Sequence, residues 1–363
     1  MRKLATIRKI NNLLPIEGAD RIMAAVIDGW TVVVKKNEFE VGDLCVYFEI
    51  DSFLPDGNPA WQHLVEKHPR IFEGNRGHCL RTVRLRGQIS QGFAASVITE
   101  YPNGLPFGSG VITNTLGDEK FINEGDDVSD FLGIVKYEPP IPTQLGGQVR
   151  GNFPSFIPKT DQDRCQNLIG KIFHENIDAW YEVSMKMDGS SFTAFYNNDH
   201  DGVCGRNWEL DVNEENKTNS MVRMYVDSKL QAALCKLRLN IAVQGELQGT
   251  GIQGNKEGFK SHKLAIFDIY DIDNGYYLTP IERLEIVDRL WKLDVNKEMV
   301  VHVPVLHMNV SLQELKITDM NLLLEFAKGP SINAAMREGV VFKRIDGKFS
   351  FKVINNDWLL KNE

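Results

Sequence analysis

A chain of 363 residues is longer than one ordinary domain, and with 42% apolar residues it can bury a core in each of two. Charged residues make up 25% with no long polar run, which excludes extensive disorder, and a formal net charge of -8 argues against a nucleic-acid binder unless cations gather on one face. Five cysteines, Cys45, Cys79, Cys165, Cys204 and Cys235, form no C-x-x-C pair, so neither a zinc site nor a disulfide framework is expected.

The first residues, Met1-Arg2-Lys3-Leu4-Ala5-Thr6-Ile7, start a strand instead of a signal region, and no segment approaches the ~20 apolar residues of a membrane span. A soluble cytoplasmic protein with no membrane partner is the expectation. Strands are predicted over Leu4 to Ile10, Arg21 to Ile27, Trp30 to Val34 and Leu44 to Glu49, with turns at Asp28-Gly29 and Val41-Gly42-Asp43. Further strands are predicted over Cys79 to Leu85 and Gly92 to Val97. Arg70, Arg76, Arg81, Arg84 and Arg86 fall close together, and alternation through Arg81-Thr82-Val83-Arg84-Leu85-Arg86 puts Val83 and Leu85 on one face and arginines on the other. That pattern suits a basic nucleic-acid surface or a solvated strand face. Short strands closing a barrel with basic residues on one side fit an OB-like domain over residues 1–135.

Residues 136–160 read as a linker. Glu138-Pro139-Pro140-Ile141-Pro142, Gly146-Gly147, Pro154 and Pro158 preclude regular helix. Residues 161–363 then alternate strands with a few helices. One helix is predicted over Met221 to Leu239, another starts at Thr279-Pro280, Ser311 to Glu314 forms a capping box, and Gly329-Pro330 ends the helix that contains Leu322 to Phe326.

Within this second domain, Trp180-Tyr181-Glu182-Val183-Ser184-Met185-Lys186 is an apolar strand that delivers Lys186 into an Asp188-Gly189 turn. From there Phe192 to Tyr196 runs back as the second strand of a hairpin. An ammonium has a pKa near ~10.4, and burial or a neighbouring cation favours the neutral, nucleophilic amine. A K-x-D-G run alone also fits a solvated surface hairpin, so its weight depends on the residues downstream of it.

Together with those downstream residues, the run resembles, in order, the signatures of the covalent nucleotidyltransferases, the superfamily of polynucleotide ligases and mRNA capping enzymes. Lys186-Met187-Asp188-Gly189 matches the nucleophile motif, and Cys204-Gly205-Arg206-Asn207 the arginine motif after it. Gln244-Gly245-Glu246-Leu247 is similar to the glutamate motif, Leu264 to Tyr270 with Phe267 to the strand whose aromatic stacks on the base, and Glu338 to Lys343 to the glutamate-to-lysine motif. The last signature departs, because Ser350-Phe351-Lys352 has a serine where families often have a first lysine; only Lys352 is carried over. Ile16 to Ile22 with Val41-Gly42-Asp43 and Phe53-Leu54-Pro55 resembles the subgroup of RNA ligases that place an OB-like domain ahead of the ligase domain. Lys159 to Asn167 resembles that subgroup's segment before the nucleophile, with Arg164 in it.

The resemblance implies an α+β chain: an N-terminal OB-like β-barrel, then an adenylyltransferase (ATP-grasp-like nucleotidyltransferase) domain built on antiparallel sheets with flanking helices. It implies an ATP-dependent RNA ligase joining 5′-phosphate and 3′-hydroxyl ends at duplex nicks through lysyl-AMP, with ATP and Mg²⁺ or Mn²⁺ as cofactors. The catalytic residues would be Lys186, Lys343 and Lys352. Arg206, Glu246, Phe267 and Glu338 would join them around the nucleotide, Asp188, Glu246 and Glu338 would hold the metal, and Arg164 would take the RNA end. RNA or an RNA-containing duplex is the expected partner of a monomeric enzyme. The competing functions are a DNA ligase or capping guanylyltransferase, whose OB domain usually comes after the catalytic domain, and a non-catalytic RNA-binding protein on a decayed ligase fold.

Overall fold

The structure, a computed structural model, describes residues 3–98, 109–138 and 147–362, which fall into two compact units, Met1–Pro140 with Leu360–Glu363, and Ile141–Leu359. Among the described residues no helix is long and apolar enough to cross a membrane.

The first unit is almost entirely β. Leu44–Phe48 lies between Ala5–Lys9 and Phe93–Ser96, antiparallel to both. All five of its residues are buried because alternate side chains enter two different cores. Leu44, Val46 and Phe48 pack with Ile7, Leu54 and Trp61, whereas Cys45 and Tyr47 pack with Trp30, Val32 and Phe39. The Asp28-Gly29 turn forms as expected: Ile27 pairs with Trp30, and Asp28 and Gly29 take φ of 49° and 82°, the left-handed values of a two-residue hairpin. Among the described residues the strands divide into five small sheets around these cores, not one continuous ladder.

The expected strand Cys79 to Leu85 is two strands. Asn75–Cys79 pairs with Ser52–Pro55, and Thr82–Leu85 with Gln88–Gln91 around an Arg86-Gly87 turn. The break falls at Leu80, whose amide donates to the Ser52 carbonyl while its own carbonyl accepts from Asp51. The predicted division of faces is also incomplete, since Val83 and Leu85 are exposed together with Arg84.

The second unit holds two antiparallel sheets. In the larger, Ser190–Asn197, Ile241–Gln248 and Lys263–Asp271 are adjacent, with Val300–His302 added in parallel to the last. Phe192, Ala194, Val243 and Leu247 on one face pack against the helices Ser220–Asp227, Leu230–Leu237 and Pro280–Lys292. The smaller sheet has the order Val305–Ser311, Trp180–Lys186, Gly339–Arg344, Ser350–Ile354.

Several local expectations change in this unit. Trp180–Lys186 and Ser190–Asn197 are not a hairpin, because each pairs with other strands and residues 187–189 carry the chain from the smaller sheet to the larger. The helix expected over Met221 to Leu239 breaks at Ser228-Lys229, where Lys229 takes φ 64° and the Ser228 carbonyl accepts from Asn296. Thr279 caps Pro280–Lys292 with a capping box to Glu282, as predicted. Ser311 and Glu314 also exchange capping-box hydrogen bonds, but they close a turn and not a helix. Of the expected linker, Pro139, Pro140, Ile141, Pro142 and Gly146 lie outside the described residues, while Val149–Asn152 is a strand paired with Trp208–Leu210 in the larger sheet.

Candidate active site

Lys186 ends the second strand of the smaller sheet, directly opposite Gly339. Because strand residues alternate, Glu182, Ser184 and Lys186 share one face, and the register places Lys343, Val341 and Gly339 beside them and Ser350, Lys352 and Ile354 beyond. Two motif glycines are required by close approach. A Cβ on Gly339 would run into the Val353 carbonyl oxygen, and one on Gly189 into that of Leu247. The D-G and E-G pairs are therefore packing requirements of the two sheets as well as motif letters.

Lys186 Nζ lies 2.6 Å from Glu338 Oε1. Burial alone would depress its pKa, but Glu338, Glu246 and Asp188 outweigh that and hold the ammonium above its ordinary value. The acids respond in turn. Burial, opposed by Lys186 and reinforced by Glu338 and Asp188, pushes Glu246 up to about 8. Burial and Glu338 likewise raise Asp188, against the pull of Lys256. Arg206, in the turn between His200–Cys204 and Trp208–Leu210, acts on Glu246 and is ion-paired with Asp161 at 3.0 Å. The structure thus gathers Lys186, Asp188, Glu246 and Glu338 within electrostatic reach of one another, with Arg206 at their edge.

The expected metal set is Asp188, Glu246 and Glu338. Among the described residues no three acidic, histidine or cysteine side chains form a metal cage; Lys186 stands against Glu338 and Lys256 lies 3.4 Å from Asp188. Carboxylate oxygens suit a hard divalent cation, which would have to exchange with these ammonium groups.

Phe267 is the extra residue of a β-bulge: Asp268 pairs with Gln244 and Ile266 with Gly245, leaving Phe267 between them. It is only partly buried, against Met185, Met187 and Ala265. Lys343 Nζ lies 5.4 Å from the centre of its ring, donates to the Phe267 carbonyl and pairs with Asp268 Oδ1 at 2.7 Å. Burial drives the Lys343 pKa down, against the pull of Asp268. Ser350 stands directly opposite Lys343 and lines with it a cavity of about 20 Å³, room for one water. Lys352 donates its amide to the Asp163 carbonyl (2.8 Å), and its backbone bridges in parallel to Arg164, which puts the two cations side by side.

Sequence reasoning missed Lys256, Asp268, Glu182 and Arg283. Lys256 sits in the glycine-rich stretch after Gln248, 4.2 Å over the Trp358 ring, with no local pattern to mark it. Arg283 is fully buried and donates through Nη2 to both Glu182 oxygens (2.7 and 2.6 Å) and through Nε to His302 Nε2 (3.0 Å). Burial and the Arg283 charge hold the His302 pKa below its ordinary 6.5. The unfolded chain then binds the proton more readily, so this contribution to stability is whole above pH ~6.5 and is lost as pH falls through the folded value. Denaturant midpoints measured between pH 5 and 8 should fall on the acid side, and His302→Gln should flatten that slope; an unchanged slope would reject the assignment.

A family model described as an OB-fold domain matches residues 4–97, and one described as RNA ligase matches residues 180–354. Comparison with curated proteins gives no match. Among solved structures, the RNA ligase of Naegleria gruberi with PPi is 45% identical, covers 99% of each chain and has a TM-score of 0.78. Variants of that ligase with ATP and Mn, and with AMP and Mn, match at the same identity, coverage and TM-score. Identity at this level over the whole chain, with an OB-fold match ahead of the ligase match, means that the chain belongs to the RNA ligases.

Proposed function

We propose that this ligase joins RNA ends with ATP, as a cytoplasmic monomer, through a covalent lysyl-AMP on Lys186. The observation that carries the reading is an amine held at the meeting of two sheets among three carboxylates, with Lys343 and Lys352 on the same face. The Naegleria ligase structures with ATP, with AMP and Mn, and with PPi support the same chemistry. In the first step Lys186 Nζ loses a proton and bonds to the α-phosphorus as the bond to pyrophosphate breaks. The raised pKa of Lys186 makes loss of that proton a real requirement. A divalent cation held by Asp188, Glu246 and Glu338 would supply Lewis-acid neutralisation of phosphate charge. Lys343 and Lys352 would stabilise the charge on the phosphate oxygens, Phe267 would stack on adenine, and Arg206 and Glu246 would bind the ribose.

The AMP then passes to a 5′-phosphate held by Arg164, and a 3′-hydroxyl displaces it, at a duplex nick with RNA on the hydroxyl side. Incubation with labelled ATP and Mg²⁺ or Mn²⁺ should leave label on the denatured protein, and label should be lost on adding nicked duplex as sealed product forms. No protein-bound label would reject the reading.

The first unit is the substrate platform in this scheme. Residues 147–363 alone should still form lysyl-AMP but seal a nick at least about 10-fold more slowly than the whole chain. Charge reversal of Arg84 and Arg86, both exposed beside Val83 and Leu85, should reproduce part of that loss in the intact enzyme. Equal sealing by the truncated and full chains would show that the first unit does not hold the substrate.

A further inference from the structure

Beside the Lys186 cluster lies a second set of buried charges to which the ligase scheme assigns no role. Glu182 is fully buried and stands directly across the ladder from Lys343, on the same face. Directly opposed side chains on neighbouring strands have Cβ atoms roughly 5 Å apart, so Glu182 is a second carboxylate within reach of the Lys343 ammonium. Lys343 goes elsewhere, to Asp268 Oδ1 at 2.7 Å and the Phe267 carbonyl. Glu182 is already taken: both of its oxygens accept from Arg283 Nη2. Arg283 is fixed in turn from its other side. Its Nε donates to His302 Nε2, and the remaining ring nitrogen, Nδ1, lies 2.7 Å from the Val303 carbonyl oxygen, which makes the imidazole a neutral acceptor toward Arg283. Helix Pro280–Lys292 carries Arg283 one turn past the Thr279 cap, so the guanidinium is held by rigid structure.

We propose that Arg283 is a positioning residue for the ligase reaction: by occupying Glu182 it denies Lys343 a rival carboxylate and leaves that lysine to Asp268, beside the Phe267 ring. This rests on the reading of Lys343 as a ligand of the ATP phosphates. A planar guanidinium suits the task because one fork can meet a carboxylate while a third N–H reaches His302. Without Arg283, an unpaired buried carboxylate faces Lys343 and captures it, drawing the ammonium away from the nucleotide side.

The proposal predicts an asymmetry that a merely structural ion pair lacks. Arg283→Met should slow self-adenylylation by about 100-fold and raise the apparent KM for ATP, whereas Glu182→Gln, which removes the rival carboxylate, should stay within about 10-fold of wild type. The Glu182→Gln/Arg283→Met double variant should also stay within about 10-fold. If Arg283→Met does not fold, the double variant decides, because it lacks both the arginine and the carboxylate that would trap Lys343. Inactivity of folded Glu182→Gln, or of the folded double variant, would overturn the proposal. Lys343→Met is the separate control: if it retains wild-type adenylylation, the role of Lys343 fails, a result distinguishable from the failure of Arg283 positioning.

Discussion

Lys186→Ala is expected to lose self-adenylylation by more than about 10⁴-fold, with no residual label on the denatured protein, because Lys186 is the amine placed against Glu338 at the end of its strand. The effect on stability should be small for a reason peculiar to this site. Removing the ammonium leaves Glu338, Glu246 and Asp188 without their shared cation, but Glu246 already has its pKa lifted to about 8 and can take a proton. Lys186 is also a quarter exposed, so solvent screens part of the interaction, and the net cost should be about 1 kcal/mol at neutral pH. Denaturant unfolding of both proteins checks this, alongside transfer of label from ATP. Label retained in the variant would remove Lys186 as the nucleophile.

The other large effect separates two cations that the fold sets side by side. Arg164 and Lys352 share a backbone bridge, yet they should act at different steps. Lys352→Ala should slow adenylylation of Lys186 by about 100-fold or more with no RNA present, since Lys352 lies on the face that carries Lys186 and Lys343. Arg164→Ala should charge Lys186 at a rate within about 5-fold of wild type, then seal a pre-adenylylated nick about 100-fold more slowly. Phosphate contacts are screened by salt, so sealing by the intact enzyme should fall with ionic strength more steeply than self-adenylylation. Single-turnover measurement of the two steps decides the matter. Equal loss of adenylylation in both variants would assign Arg164 to ATP instead of the RNA end.

The motifs were legible in the sequence because each is a short run on one strand or turn, where neighbours in the chain are neighbours in space. Lys186 with Asp188 and Gly189, Glu338 with Gly339, and the Asp28-Gly29 hairpin depend on local geometry: strand alternation, left-handed φ, or a glycine where another strand comes too close. The Thr279 cap was readable for the same reason. What could not be read were pairings made across long stretches of chain. The apparent hairpin after Lys186 is a passage between two sheets, because hydrogen-bonding partners far along the chain competed successfully for both strands. Phe267 was marked by its segment, but the bulge against Gln244 and Gly245 that sets it apart from its neighbours was not. Glu182 and Arg283 are 101 residues apart, and Lys256 reaches Asp188 only through the fold. A single residue's charge carries no directional information along the chain, and burial selects among distant partners only once the core has closed around them. Short runs of residues thus set the local chemistry and the order of the domains, while the closing of the core set which carboxylate each buried cation holds.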